Sequence, residues 1–212
     1  RNVRNNLSLI ENACNEIKRS EKLGQILRFT LGCINTLNRN KVEAIVVSSL
    51  GELKNTKDGD KTMSVLEYIV NIILDQDEDL LVFIDEIPSL ALVCKFTWKD
   101  SVDQEKNDIE NKVRKVRLLE NECITVRGFL EEQKLHSKGT FLADLRDEIC
   151  TTKDRFKKLR TDYFAEDENE TSDLDWFEAF ITFAKDLNGA KTKIEQQRER
   201  ERMRERRINT KN

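Results

Sequence analysis

The chain has 212 residues, of which 36% are charged and 38% hydrophobic, and its formal net charge at pH 7 is −3. This composition is too apolar for a disordered chain, and a single proline with seven glycines favours long helices that expose much of their circumference. Five cysteines, odd in number and widely spaced, argue against a disulfide framework or a zinc site and favour an intracellular protein. We expect no metal, no cofactor and no membrane span.

The first hundred residues show helical periodicity with one clear interruption. Apolar residues at helical spacing predict one or two helices up to about residue 37. The segment 38–41 breaks this period, and the β-branched run 44–47 has no partner strand nearby, so we interpret it as buried loop and short helix. Apolar residues then crowd the stretch 65–74, which predicts a central helix buried on more than one side.

Two longer apolar seams follow, at 102–130 and 141–163, both with spacings of three, four and seven residues. Joined by a turn at 136–139, they predict an antiparallel pair of long helices, each seam buried against the other or against a third helix. Ser172 and Asp175 have the spacing of a capping box and predict the start of a helix that is rich in aromatic residues. The chain is therefore predicted to be all-α, an elongated helical rod.

Several stretches resemble the formin homology-two family. Residues 26–38 read ILRFTLGCINTLN, residues 47–53 read VSSLGEL, and residues 60–70 read DKTMSVLEYIV. The family signature has a helix, then Gly-Asn-aromatic-Leu-Asn, a basic residue, Gly-Phe-x-Leu-x-x-Leu and Asp-x-x-x-Thr-Leu-Leu-x-Tyr-Leu-Val. Residues 163–166, YFAE, and 175–180, DWFEAF, are similar to the family's post, where an aromatic-Gly-Glu stretch precedes an acidic-Phe-Phe helix.

The resemblance covers the second half of the family domain, and it implies a domain organisation and a dimer. Residues 1–190 correspond to a truncated domain, with a knob-like part at 1–98, a coiled-coil and post part at 99–190, and a charged, solvated helical tail at 191–212. In the family a lasso from one subunit wraps around the post of the other in a ring-shaped dimer. This lasso is expected to precede residue 1, and a homodimer is the expected assembly.

Two departures from the family pattern weaken the expectation of actin binding. The family's Gly-Asn pair is Ile34-Asn35 here, and its Gly-Phe pair is Ala44-Ile45, so both glycines are missing. The basic residue that the family uses against actin falls on Asn40, although cations flank it. Residues that the resemblance places in an actin-facing loop are Asn35, Asn38, Arg39, Asn40 and Lys41. The alternative is that this is a solvated turn.

The aromatic residues near the C-terminus have two readings. They form either a receptor for a second chain, with Trp176 the better interface anchor, or an ordinary core of the helix. The candidates for this dimer or post interface are Tyr163, Phe164, Trp176, Phe177, Phe180 and Phe183. Likewise, the arginine-rich tail 198–207 either binds actin or nucleic acid, or forms charge pairs along an exposed helix.

From these features we expect a degenerate formin homology-two-like homodimerisation scaffold of a larger intracellular regulatory protein, with weak or no actin assembly activity. The alternative is part of a functional formin that nucleates actin and binds filament barbed ends. We expect no enzyme, because the sequence has one histidine and no phosphate-binding glycine loop. No membrane partner is expected, and no nucleic acid partner for this domain. The sequence does not distinguish a cytoplasmic cytoskeletal protein from a nuclear one.

Overall fold

The computed structural model describes residues 2–37, 41–57, 63–95, 97–118, 140–166 and 172–209. Most of these residues are helical. The described residues contain no sheet and a single isolated β-bridge, between Lys57 and Ser64. The prediction of an all-α fold is confirmed. The α-helices are α1 (Asn2–Arg19), α2 (Glu21–Leu37), α3 (Val65–Gln76), α4 (Leu90–Val93), α5 (Glu105–Leu118), α6 (Thr140–Lys158) and α7 (Asp173–Asn209).

Shorter helical segments connect the α-helices. Val47–Lys54 and Glu78–Glu86 are 3-10 helices, and π-helical turns at Lys99–Gln104 and Leu159–Tyr163 precede α5 and extend α6. The run 44–47 was predicted as loop and short helix. Residues 44–46 lead into the first 3-10 helix, and Val47 is its first residue. Neither π turn was visible in the sequence pattern.

Helix α3 lies at the centre of the fold. Its N-terminus has a complete capping box, in which the Ser64 side chain accepts from the Glu67 backbone and the Glu67 carboxylate accepts from the Ser64 backbone. Five of its twelve residues are buried, and it packs against α2, α7 and both 3-10 helices. The predicted central helix is therefore confirmed, because its apolar residues cover more than one face.

Helices α5 and α6 run antiparallel, as predicted, and ion pairs link this part of the chain to α6. The Lys153 ammonium lies 3.1 Å from the Asp103 carboxylate, and the Arg146 guanidinium lies 3.0 Å from Glu110. From the first pair to the second, the residue number rises from 103 to 110 on one side and falls from 153 to 146 on the other, so the two segments run antiparallel. The predicted turn at 136–139 lies outside the described residues. Helix α1 packs on the other side of α6, with Arg155 of α6 paired to Glu11 at 2.8 Å.

Helix α7 is 37 residues long, or about 55 Å at 1.5 Å per residue. Its start agrees with the predicted cap, since the Asp175 backbone donates to the Ser172 hydroxyl at 3.2 Å. The helix continues without a break past residue 190, where the charged tail was predicted to begin. Ile194 is buried, and Arg198 reaches Asn71 and Asp75 of α3 at 2.7 and 2.8 Å. The fully exposed part of α7 therefore starts at residue 199.

The buried apolar residues form one continuous cluster that runs from α1 to α7. Such a shared core joins the knob-like and post-like parts of the chain in one folded unit. The division into residues 1–98, 99–190 and 191–212 stays a prediction.

Candidate functional site

An aromatic cluster forms the base of the post, where the first turns of α7 meet the end of α6. The Trp176 indole lies at its centre with no exposed surface, and its ring centroid is 5.0 Å from that of Phe180 and 5.3 Å from that of Phe156. Phe156 stacks on Phe177 at 5.0 Å, and Phe164 meets Trp176 edge to face at 5.5 Å. These edge-to-face and offset contacts are the geometries that aromatic rings prefer, so the cluster is a rigid core.

A buried carboxylate, Glu166, ties this cluster to the rest of the fold. The Trp176 indole N–H donates to Glu166 at 2.8 Å, and the Val47 backbone N–H donates to the same oxygen at 3.2 Å. The Arg160 guanidinium lies 4.0 Å from the other oxygen, and both side chains are almost completely buried. Because a buried charge is costly unless it is paired and hydrogen-bonded, this arrangement fixes the post against the first 3-10 helix.

Ala165 has a backbone conformation that is unusual for a residue with a side chain. Its φ is 49°, which lies in the left-handed region. The next residue, Glu166, donates its backbone N–H to the Arg160 carbonyl at 3.1 Å and so closes the end of the α6 helical run. Glycine is the usual residue at such a helix end, which agrees with the glycine that the family pattern has at this position.

The six predicted interface residues divide sharply by burial. Phe164, Trp176, Phe177, Phe180 and Phe183 are at most 6% exposed and form core of the single chain. Tyr163 is 52% exposed, and the Lys18 ammonium lies 4.6 Å above its ring. An interface at the post stays a prediction, and of these six side chains only Tyr163 offers a large accessible surface. Trp176, predicted as the better anchor, is instead committed to the hydrogen bond with Glu166.

Five residues were predicted to face actin, and three of them, Asn38, Arg39 and Asn40, lie outside the described residues. Asn35 is described, and its side chain closes the loop that they belong to: it accepts from the Val42 N–H at 2.6 Å and donates to the Val42 carbonyl at 2.9 Å. Lys41 is exposed. The structure thus gives Asn35 a role in holding the loop, while contact with actin stays a prediction.

An open apolar groove of about 530 Å³ lies between α2 and α3. Cys33 and Val65 of its walls belong to the buried core, and Phe29 and Ile72 pack against that core. The sequence pattern alone did not identify the groove. The half-exposed Tyr68 stands at its edge. The side chains that line it are mostly apolar: Phe29, Cys33, Met63, Val65, Tyr68 and Ile72, together with the polar Thr36 and Arg28. Its volume is in the range of ligand and peptide sites in proteins.

Ion pairs fasten α7 to the central helices next to this groove. Lys193 pairs with Glu67 of α3, and Lys191 pairs with Glu78. Partial burial acts to raise the pKa of Glu67, but hydrogen bonds from Lys193 and the Ser64 backbone outweigh it and lower that pKa below its usual value. The hydrogen bond to Glu78 raises the pKa of Lys191. Glu67 and Lys191 therefore stay charged at neutral pH.

The cysteines of the described ranges differ strongly in accessibility. Cys14 and Cys33 are buried, Cys94 is partly buried and Cys150 is exposed. Burial, with a contribution from Glu11, raises the pKa of Cys14 to about 12, and burial with Glu178 raises that of Cys94 to about 11. Within the described ranges, no group of three or more His, Cys, Asp or Glu side chains is arranged to hold a metal ion. The same ranges contain no helix that is long and apolar enough to cross a membrane.

Comparison with known proteins gives a consistent result. The profile of the Formin Homology 2 Domain matches residues 1–188. Formin-E of Dictyostelium discoideum is 27% identical over 203 residues, which are 91% of this chain and 13% of that protein. Protein diaphanous homolog 3 of Rattus norvegicus is 27% identical over 164 residues, 76% of this chain and 13% of that protein.

A Formin-like protein of Drosophila melanogaster is 31% identical over 156 residues, 72% of this chain and 12% of that protein. The chain thus spans only 12% to 13% of the length of these curated relatives. The matched region includes the aromatic post, Asn35 and the groove between α2 and α3. With a family profile that extends over residues 1–188 of 212, the chain belongs to the Formin Homology 2 Domain family.

Proposed function

We propose that this chain is a homodimerisation module of the formin type, which serves actin-related assembly while having weak or no actin assembly activity of its own. The observation that carries the proposal is the open apolar groove between α2 and α3. The proposed mode of action is binding rather than catalysis, in an intracellular protein that is cytoplasmic or nuclear.

The groove supports association because of its chemistry. Phe29, Met63 and Ile72 present apolar surface, and the adjacent Tyr68 ring is 50% exposed. Contiguous apolar surface of this kind is typical of a protein interface, and aromatic residues at its edge are typical anchors. A second copy of the chain is the proposed occupant. In a symmetric pair each copy would offer its own groove to an apolar segment of the other, so both contacts would be buried at once.

Residues between positions 34 and 44 support the proposal that the chain has weak or no actin assembly activity. Ile34 and Ala44 stand where the family pattern has glycine, so the backbone has less freedom there. The Asn35 side chain is used to hold Val42, and Asn40 stands at the position of the family's basic residue. An actin contact here would therefore rely on the flanking cations, of which Lys41 is exposed.

The alternative is that the chain is part of a functional formin. Its support is the family membership and the names of the relatives, of which one is Formin-E and one a Formin-like protein. The exposed Lys41 also favours it, since a cation beside position 40 can take over the contact. A pyrene-actin polymerisation assay separates the two functions: the scaffold predicts unchanged kinetics, and the alternative predicts faster assembly or slower barbed-end growth.

Sedimentation equilibrium over a concentration series tests the proposed dimer, with Tyr68→Asp as the variant. A carboxylate at this position places a charge at the edge of the groove, and we expect the dimer to dissociate at least tenfold more readily. Leu92→Asp is the matched control, because Leu92 is an exposed apolar residue (44%) of α4, outside the groove. A monomer at every concentration, or equal weakening by both variants, would overturn the proposal.

A further inference from the structure

The exposed end of α7 has an unusual distribution of charge around its circumference. Within the described ranges, the last contacts given for the helix with the body are those of Arg198 with Asn71 and Asp75. From residue 199 to 208 every residue is exposed. At 1.5 Å per residue this segment extends about 15 Å beyond Arg198.

One face of this segment is free of acidic residues. At about 100° per residue, Arg200, Arg204 and Arg207 fall within about 60° of each other on the helical wheel, and Met203 and Ile208 flank them about 40° away on either side. The three glutamates of the segment, at 199, 201 and 205, lie on the remaining circumference. The result is a face, which we call the arginine face, that spans about 140° and carries three cations between two apolar side chains.

The arginines of this face also lack ion-pair partners among the described residues. Arg202, which is outside it, pairs with Glu199 at 3.9 Å, whereas none of the three arginines of the face has an ion-pair partner in the ranges that the structure describes. Met203 and Ile208 are 48% and 60% exposed. Cations and apolar groups are therefore presented together on one side of a helix.

We propose that the arginine face binds the surface of an anionic lipid bilayer. Guanidinium groups match the geometry of phosphate oxygens, and apolar side chains beside them can enter the boundary between headgroups and acyl chains. The apolar flanks favour a bilayer over a nucleic acid, whose phosphate backbone has no place for Met203 or Ile208. This inference revises the expectation from the sequence that the chain has no membrane partner, and it is independent of the proposed dimer.

The acidic body does not prevent this contact. The net charge of the whole chain is −3, but the Debye length in physiological salt is about 8 Å, less than the length of the projecting segment. Each arginine near an anionic bilayer contributes about fivefold in affinity, so three contribute about 100-fold. Attraction at the arginine face is therefore expected to be local and sensitive to salt.

Cosedimentation of the full chain with vesicles tests the proposal. One set of vesicles contains phosphatidylcholine alone, and the other contains phosphatidylcholine and phosphatidylserine in equal parts. We expect binding to the second set only, and Arg200→Gln with Arg204→Gln should weaken it about 30-fold. The matched control is Arg202→Gln with Arg206→Gln, which removes the same charge at the same spacing from the opposite side and should weaken binding less than fivefold. Circular dichroism checks that both variants keep their helix content.

Three results would overturn the proposal. Equal loss of binding in the two double variants would mean that net charge alone attracts the chain. Equal binding to both sets of vesicles would mean that anionic lipid is not recognised. Displacement from the phosphatidylserine vesicles by a low concentration of a single-stranded RNA oligonucleotide, with the same dependence on Arg200 and Arg204, would assign the arginine face to nucleic acid instead.

Discussion

The left-handed backbone at Ala165 makes a quantitative prediction about stability. An alanine in this region costs about 1 to 2 kcal/mol relative to a right-handed conformation, a cost that glycine avoids. Glycine has more freedom in the unfolded chain, which offsets about 0.4 to 1 kcal/mol of that gain. Ala165 is exposed, so its methyl group contributes little burial. We therefore expect Ala165→Gly to stabilise the protein by about 0.5 to 1 kcal/mol.

Urea unfolding followed by circular dichroism measures this change in the free energy of unfolding, and thermal unfolding measures the change in Tm. For a protein of this size the expected gain corresponds to a rise in Tm of about 1 to 4 °C. Ala143→Gly is the control, since Ala143 is an exposed residue inside α6, where glycine should cost about 1 kcal/mol. The two substitutions are identical in chemistry and opposite in expected sign. If Ala165→Gly destabilises the protein as much as the control does, the left-handed conformation is not the one that the protein adopts.

Three further predictions concern buried and paired groups. Glu166→Gln removes the charge from a buried ion pair and should lower the free energy of unfolding by about 3 kcal/mol, measured by urea denaturation. The folded-state pKa of Glu67 lies below its unfolded value, so its ion pair with Lys193 stabilises the protein above about pH 4.5 and is lost as the pH falls below that value. Thermal unfolding between pH 3 and 7 should therefore show that Tm falls at acid pH, and that it falls less in Lys193→Ala than in the unmodified protein. An equal fall of Tm in both proteins would contradict this assignment. Iodoacetamide at pH 8, read by mass spectrometry, should modify Cys150 quickly and Cys14 hardly at all, because Cys14 is buried and its pKa is about 12.

Periodic features of the fold were predictable from the sequence because they depend on local spacing. The central helix α3 was found from its apolar residues, and the start of α7 from the pair Ser172 and Asp175. The antiparallel pair α5 and α6 followed from two seams with matching periods. Each of these predictions uses a pattern that a single helix displays on its own.

The contacts that were not predicted join residues far apart in the chain. Ile194 and Arg198 were assigned to a solvated tail because their own segment is polar. The partners of Arg198, Asn71 and Asp75, lie more than 120 residues earlier. Glu166 was read only as a match to the family's post, since nothing in the sequence shows that its carboxylate is buried. Local hydrophobicity does not reveal a burial that depends on a distant partner.

The aromatic residues of the post illustrate the same limit. Their helical spacing is compatible with a core and with an interface, and the sequence left both readings open. The structure buries Trp176 against Glu166 and Phe156, so these side chains hold the post together in a single chain. The groove between α2 and α3, which is proposed to take part in dimerisation, is formed by two helices whose packing the sequence does not specify.

The central claim is that the chain associates with itself without assembling actin, and one sedimentation experiment tests both halves. The purified chain is centrifuged over a concentration series, alone and with filamentous actin. We predict a monomer–dimer equilibrium and a chain that stays in the supernatant when the filaments pellet. A chain that remains monomeric, or one that pellets with the filaments in a saturable manner, would contradict the account.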